Sequence, residues 1–393
     1  MRRHSEFPAL QAEAQRLYLD SAATTLTPQV VLDAVRDSMV SGGSAGRSVH
    51  RRGQGAEERL ESARAALAHR LGTLPSELVI TSSATEALNL VAWGWGLPNL
   101  RPGQRILVSA LEHHASLLPW RAVARETGAR VHTLPCTPSG ELDLDALDAA
   151  LTHAPAVLAL GWVSNLTGGV APLPEILRRV RARAPECLVV VDGSQALGHL
   201  PIDLSALGAD FVAFAGHKAY GPLGVGLLHG QPERWAQTRP LHWGGGMVRA
   251  VEQGTPHLQP APWCFEAGTP NHHAAIGLAA AIPYWDQGQP DLVDGTCVAL
   301  ETLPGCQVVG SPSRRVGLIS FTLLGLHPHD VGSVLDSLGI EVRVGHLCAQ
   351  PALEALGIGA AIRASFGVYN EPADIARLID GLQQAQRTLK ART

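Results

Sequence analysis

Residues 211–226 read FVAFAGHKAYGPLGVG. A short apolar run ends in Ala215-Gly216-His217-Lys218, and a Gly/Pro-rich turn leads straight into a second apolar run, GVGLLHG, at 224–230. The join is too tight for a crossover helix, so the two runs predict a hairpin and one antiparallel strand. The segments before it alternate differently. ELVITSS (77–83) leads into ATEALNLVAWGW, RILVSA (105–110) into EHHASLLPWRAVARETG, AVLALGWVSN (156–165) into LPEILRRVRARA, and CLVVVDGSQ (187–195) into ALGHLPIDLSALGA. Near-continuous apolar strands separated by helical patterns predict an α/β layer whose mostly parallel sheet is covered on both faces.

After about residue 270 the pattern changes. A long helix-like stretch is followed by VGLISFTL, HDVGSVLDSLG, EVRVGHLC, AAIRASFGVY and a final helical pattern, EPADIARLIDGLQQAQRTL. This reads as a smaller α+β domain. The expected division is a large domain over 18–270, with 1–17 and 271–393 forming the small one. The stretch GGGMVRAVEQGTPHLQPAPW (244–263) reads as a Gly/Pro-rich loop.

Composition narrows the function. A chain of 393 residues with 46% hydrophobic and 17% charged residues fits a well-buried globular enzyme. A net charge of -4 predicts no general affinity for nucleic acid or an anionic membrane. The apolar stretch AAIGLAAAIPYW (274–285) is too short to span a bilayer and reads as a buried helix. No secretory signal is read in MRRHSEFPAL, so the expected compartment is cytoplasmic. The six cysteines form no C-x-x-C, and the adjacent pairs His113/His114 and His272/His273 diverge on any regular element, so no metal site is expected.

Only two of the 31 basic residues are lysines, Lys218 and Lys390. Arginine has taken the ordinary cationic positions, and Lys390 lies in the C-terminal tail. A lysine kept at the mouth of an apolar run points to chemistry that arginine cannot do, because a partly buried amine can deprotonate and form a Schiff base. Ligands of open α/β sheets bind at the carboxyl ends of strands. Asp192, Gln195, Asn165 and His113 fall at such ends, and Ser82, Ser83 and Thr85 open a helix whose free N–H groups suit a phosphate, although Ser83 also reads as a plain N-cap. A carboxylate facing a protonated pyridine nitrogen, together with a lysine Schiff base, is the signature of a pyridoxal phosphate site. His113 reads as a structural residue or, near a cofactor, as a catalytic ring that stacks on it and moves protons. Cys348 sits in a loop, RVGHLCAQP, with Arg343 and His346 nearby to favour thiolate. In AAIRASFGVY, Ile362, Ala364, Phe366 and Val368 would face the core and leave the Arg363 guanidinium free to fork a carboxylate.

These residues also carry a resemblance. From YLDSAATT at residue 18 to GLQQAQRTL near the end, the chain resembles cysteine desulfurases of the class V aminotransferase group, most closely the SufS/CsdA-type branch. The matching stretches are SVHRR, ITSSATEALNLVA, EHHASLLPW, VSNLTGGV, VVVDGSQALGH, AGHKAYGPLGVG, FEAGTPN, RVGHLCAQP and IRASFGVYN, in the family's order. The resemblance implies a fold-type I pyridoxal phosphate enzyme, a homodimer whose large domain holds a mostly parallel seven-stranded sheet. It implies that Lys218 binds pyridoxal 5'-phosphate covalently, that Asp192 holds its ring nitrogen and Gln195 its phenolic oxygen, and that His113 stacks on the ring. Thr85, His217 and Thr269 would contact the phosphate, Thr269 in the partner subunit's site. Arg363 and Asn165 would hold the substrate carboxylate, His50 and Arg343 would line the site, and Cys348 would be the nucleophile. Three positions depart from the family pattern. Ala215 replaces a serine, Ala84 stands where some relatives carry a threonine, and Leu347 replaces a histidine before the cysteine.

The implied reaction converts L-cysteine to L-alanine and leaves a persulfide on Cys348 for a sulfur-acceptor protein of SufE, SufU or CsdE type, as in iron–sulfur cluster assembly. Selenocysteine lyase activity on L-selenocysteine, a class V amino transfer or epimerisation that leaves Cys348 idle, and a non-catalytic cofactor-binding role are the competing readings.

Overall fold

The computed structural model describes residues 3–46, 48–285 and 292–391. Its main sheet has seven strands: β1 (Leu78–Thr81), β2 (Arg105–Ser109), β3 (Arg130–Leu134), β4 (Val157–Gly161), β5 (Leu188–Asp192), β6 (Phe211–Ala215) and β7 (Gly226–Gly230). Their order is β1-β7-β6-β5-β4-β2-β3. β7 is antiparallel to both neighbours, and the other pairs are parallel. The hairpin expected at 211–230 is therefore present, with β7 inserted between β6 and β1.

Alternation along the strands builds the two layers. Val189 and Val191 of β5 feed one apolar cluster, and Leu188 and Val190 feed the cluster on the opposite face. Every residue of β5 is buried, which is why it reads as a continuous apolar run. The covering helices show the matching period. Leu173, Ile176, Leu177 and Val180 bury one face of the helix Leu173–Arg183. The helix His114–Thr127 ends at Gly128, whose φ of 72° supplies the left-handed cap.

A second sheet has the order β8 (Cys306–Val308), β9 (Leu318–Leu323), β11 (Ala361–Ser365), β10 (Arg343–Gly345), all antiparallel. Its apolar face packs Ile319, Phe321, Ile362 and Ala364 against Leu335 of the helix Pro328–Ser337 and Leu378 and Leu382 of the helix Pro372–Lys390. Leu17–Tyr18 pairs in parallel with Ile340–Glu341, so the start of the chain is stitched to this body.

The structure departs from the sequence expectations in three places. The stretch 244–263 contains an antiparallel hairpin, Val248–Glu252 with Thr255–Leu258. Gln253 and Gly254 both have positive φ (48° and 82°), the turn geometry that matches strand twist. The helical pattern after β5 condenses to turns and a four-residue helix, Leu204–Leu207, because Gly198 (φ 81°) and Pro201 interrupt it. The stretch 274–285 falls in two helices, His272–Ala280 and Ile282–Trp285, which break just ahead of Pro283.

Candidate active site

The carboxyl ends of the central strands converge on one cavity of about 290 Å3. β5 delivers Asp192, the turn after β6 delivers Lys218, the helix after β1 begins with Ala84 and Thr85, and the helix after β2 begins beside His113. The second sheet closes the cavity with Arg343 of β10, Arg363 of β11 and the Leu347–Cys348 loop, while Asn165 and His217 complete the wall. Gln195, Thr269 and His50 are placed elsewhere. Gln195 lines an adjoining cavity of about 50 Å3, which Asp192 and Lys218 also touch, and its amide donates to the Ala22 carbonyl at 2.8 Å. Thr269 lines a separate surface hollow with Trp263 and Glu57. His50 is exposed and caps the helix Arg51–Arg70 by accepting from Gly53 N–H.

The electrostatics follow from burial. Desolvation pushes the Lys218 amine down from its usual 10.5 to about 8, against the opposing attraction of Asp192. The amine can therefore shed its proton near neutral pH. Burial and then the Lys218 charge lower His113 to about 4. His113 Nδ1 accepts from the Ala115 N–H at 3.0 Å, which assigns the proton of the neutral ring to Nε2. Burial lowers His217 to about 4 as well. Asp192 Oδ1 accepts from Ser194 N–H at 2.9 Å.

Arg363 is 3% exposed. Its Nη1 donates to the Asn165 carbonyl at 2.9 Å, and its Nε has no partner among the described residues. The Asn165 side-chain oxygen is likewise buried and unpaired. Two unsatisfied polar atoms beside one cavity are costly unless a ligand pairs with them.

Of the six thiols, Cys348 is the exposed one. Burial pushes Cys187 up to about 12 and Cys264 and Cys306 up to about 11, and it also raises Cys136 and Cys297. These five are held in the thiol form. Among the described residues no three His, Cys, Asp or Glu side chains gather around a metal position.

Two acidic residues of this region were not singled out in the sequence. Glu112 is 2% exposed, accepts from Gly161 N–H at 2.9 Å, and is pushed up to about 8 by burial. Asp20 lies between Arg343 and Arg363. Its position within YLDSAATT, at the end of a two-residue strand, carries no pattern that foretells this contact.

The class V aminotransferase family matches residues 17–378. A probable cysteine desulfurase of Xylella fastidiosa is 38% identical over 99% of this chain and 96% of its own length. The chain belongs to the cysteine desulfurases of the class V aminotransferase family. Two solved cysteine desulfurases share the fold along the whole length. CsdA (S-sulfonic acid) from Escherichia coli superposes with a TM-score of 0.89 at 36% identity, covering 98% of both chains. The apo enzyme of Thermococcus onnurineus NA1 gives 0.91 at 34% identity, covering 97% of this chain and 96% of its own. The mostly parallel seven-stranded sheet with Lys218 just past β6 is thus the fold-type I architecture of this desulfurase family.

Proposed function

We propose that this cysteine desulfurase uses pyridoxal 5'-phosphate to take the sulfur of L-cysteine onto Cys348 and release L-alanine. The supporting observation is a single cavity that joins a depressed lysine amine, a strand-end carboxylate, a buried arginine with a spare donor and an exposed thiol.

The residues fit the cofactor. Lys218 offers an amine that can lose its proton, and Asp192 a carboxylate at the cavity wall for the ring nitrogen. His113, held by the Ala115 N–H at its Nδ1 and lining the cavity, offers a ring for stacking. The helix start at Ala84–Thr85 and His217 offer donors to a phosphate. Gln195, which lines the adjoining cavity with Asp192 and Lys218, would hold the phenolic oxygen. When bound, this cofactor serves as an electron sink for the carbanion formed at the substrate Cα.

The chain's own groups do the rest. The Arg363 guanidinium, with the second N–H of the Asn165 amide, would grip the substrate carboxylate and so orient the Cα–H bond. Lys218 moves the Cα proton. Cys348 thiolate attacks the substrate sulfur, an S–S bond forms as the C–S bond breaks, and the three-carbon fragment is protonated to L-alanine. The persulfide stands on an exposed loop, open to a sulfur-acceptor protein.

The larger body, 18–270 in the sequence reading, carries the cofactor residues, and the smaller body carries Cys348. A homodimer accounts for Thr269 and His50, which lie away from this chain's cavity and would serve a partner's. The strongly exposed Val40 and Val49 and the more than half-exposed Met39 fit such an interface. No described helix is long and apolar enough to cross a membrane, and six unbridged thiols suit a reducing cytoplasm.

The test is single-turnover reaction with L-cysteine without reductant, following L-alanine and the mass of the Cys348 peptide. Wild type is expected to give equal alanine and persulfide, with both lost in Lys218→Ala and Cys348→Ala. Alanine formation that survives Cys348→Ala would refute the cysteine as nucleophile and redirect the search to L-selenocysteine and other amino acids.

A further inference from the structure

The side chain of Glu112 extends the main sheet at its cofactor end. The last residue pair between β2 and β4 joins Val108 to Ala159. Gly161 N–H lies beyond that pairing, and Glu112 Oε1 takes its hydrogen bond at 2.9 Å. An N–H left over at a strand end needs such an acceptor. On its other flank Gly161 pairs with Asp192 of β5, and the next residue, Trp162, donates its N–H to the Asp192 carbonyl at 2.9 Å. Glu112 is thus one strand residue away from the backbone of Asp192.

The two acids also sense each other through space. Burial pushes the Glu112 carboxyl up, the Ser116 hydroxyl and the Gly161 N–H pull it back, and the Asp192 charge raises it further. Both line one cavity of about 50 Å3 with Lys218. The residues that follow Glu112 serve the same site. His113 lines the catalytic cavity, and His114 N–H donates to the Cys348 carbonyl at 2.9 Å.

We propose that Glu112 is a positioning residue for Asp192: by accepting from Gly161 it fixes the strand end that aims the Asp192 carboxylate at the cofactor ring nitrogen. The inference rests on the cofactor assignment made above. A carboxyl that merely satisfied the strand-end N–H would support the fold and leave the contact with the ring nitrogen untouched.

The experiment frees the full-length chain of cofactor and titrates it with pyridoxal 5'-phosphate and with the carbocyclic analogue in which C–H replaces the ring nitrogen. The quantity read is the ratio of the two dissociation constants. Wild type is expected to prefer the natural cofactor, since only that compound offers a protonated nitrogen to Asp192. Glu112→Ala is expected to shrink the preference about fivefold, the scale of one hydrogen bond put out of line. Any displacement of His113 acts on both rings and cancels in the ratio. Glu112→Met fills the volume without an acceptor and reads the same ratio if Glu112→Ala folds poorly. Glu112→Gln keeps a carbonyl for Gly161 and is expected to hold the wild-type ratio. Equal weakening of both compounds in the alanine and methionine variants overturns the proposal, as does a loss of preference just as large in Glu112→Gln. A wild type with no preference would defeat the assignment of Asp192 to the ring nitrogen and the proposal with it. A wild type that fails to turn over L-cysteine while the ratio shifts as expected would defeat the desulfurase reading and leave the role of Glu112 standing.

Discussion

The side-chain amide of Asn165 donates a 2.7 Å hydrogen bond to the backbone carbonyl of Leu347, the residue before the proposed nucleophile Cys348. Leu347 and Cys348 both have left-handed backbones, with φ of 55° and 53°. Side chains with a Cβ adopt that region at a cost of about 1 kcal/mol each. Three anchors offset it. Asn165 holds one carbonyl, His114 N–H donates to the Cys348 carbonyl at 2.9 Å, and the Leu347 side chain sinks among Leu166, Val309 and Leu353. The thiol is exposed, but the backbone that carries it is clamped.

Removing the apolar anchor should loosen the clamp. Leu347→Ala is expected to cost about 2 kcal/mol, the low end for a buried leucine. It should lower kcat several-fold with little change in the KM for L-cysteine, because the variant misplaces the nucleophile and spares the carboxylate grip. Hydrogen exchange over 345–350 should speed up. Unchanged exchange together with unchanged kcat would rule the clamp out.

The buried lysine makes stability depend on pH. In the cofactor-free protein its folded value, about 8, lies below the usual 10.5. Between those values the unfolded chain binds more protons, so this group's contribution to stability rises with pH across that window. Below pH 8 the cost of the buried charge is complete. Lys218→Met removes it, so the stability gap of the variant over wild type should shrink as pH rises from 8 to 10.5 in urea melts. His113 acts in the same direction lower down, since its depressed value of about 4 means stability is lost as pH falls from about 6.5 toward 4.

Arg64 is 1% exposed and Glu266 7%, and the two face each other with contacts of 2.6 Å and 2.8 Å. Arg64 also donates to the Leu78 carbonyl, and Glu266 accepts from Ile80 N–H, so the pair ties the FEAGTPN segment to β1. Glu266→Gln leaves the buried guanidinium with only the partly exposed Glu61 carboxylate, 3.0 Å from its Nε, as counter-charge. A loss of about 3 kcal/mol is expected, read as a lower Tm. A shift of under a degree would mean that water reaches the site.

Ala215 is buried at the end of β6 and lines the cavity beside His217. Ala215→Ser adds a hydroxyl where the phosphate is proposed to sit. The expected gain is about 1 kcal/mol, or roughly fivefold tighter cofactor retention, measured by dialysis against a competing amine. Weaker retention would place the phosphate elsewhere.

Much of the site was legible because it is local. Strand-end residues such as Asp192, Lys218 and His113 declare themselves when an apolar run stops at a polar side chain, since open α/β sheets bind ligands there. The strands of the main sheet were legible for the same reason, each buried run being bounded by turn residues. The hairpin at 248–258 was hidden by its glycine and proline content, although the Gln253-Gly254 turn was the available signal. Asp20, Glu112 and the Arg64–Glu266 pair were not legible at all, because each takes its meaning from partners distant in sequence.

The sequence by itself determined the α/β layer, the antiparallel β7, the lysine suited to a Schiff base and the order of the family's motifs, because each depends on periodicity or on neighbours along the chain. Only the tertiary structure decided which of six cysteines is exposed, that Leu347 plugs an apolar pocket, that Thr269 and His50 stand apart from the cavity, and that Asp20 neutralises Arg343. Those outcomes rest on burial and on pairing between β10, β11 and the start of the chain, 323 residues apart for Asp20 and Arg343. Desolvation and charge compensation act through space, and a one-dimensional pattern does not record them.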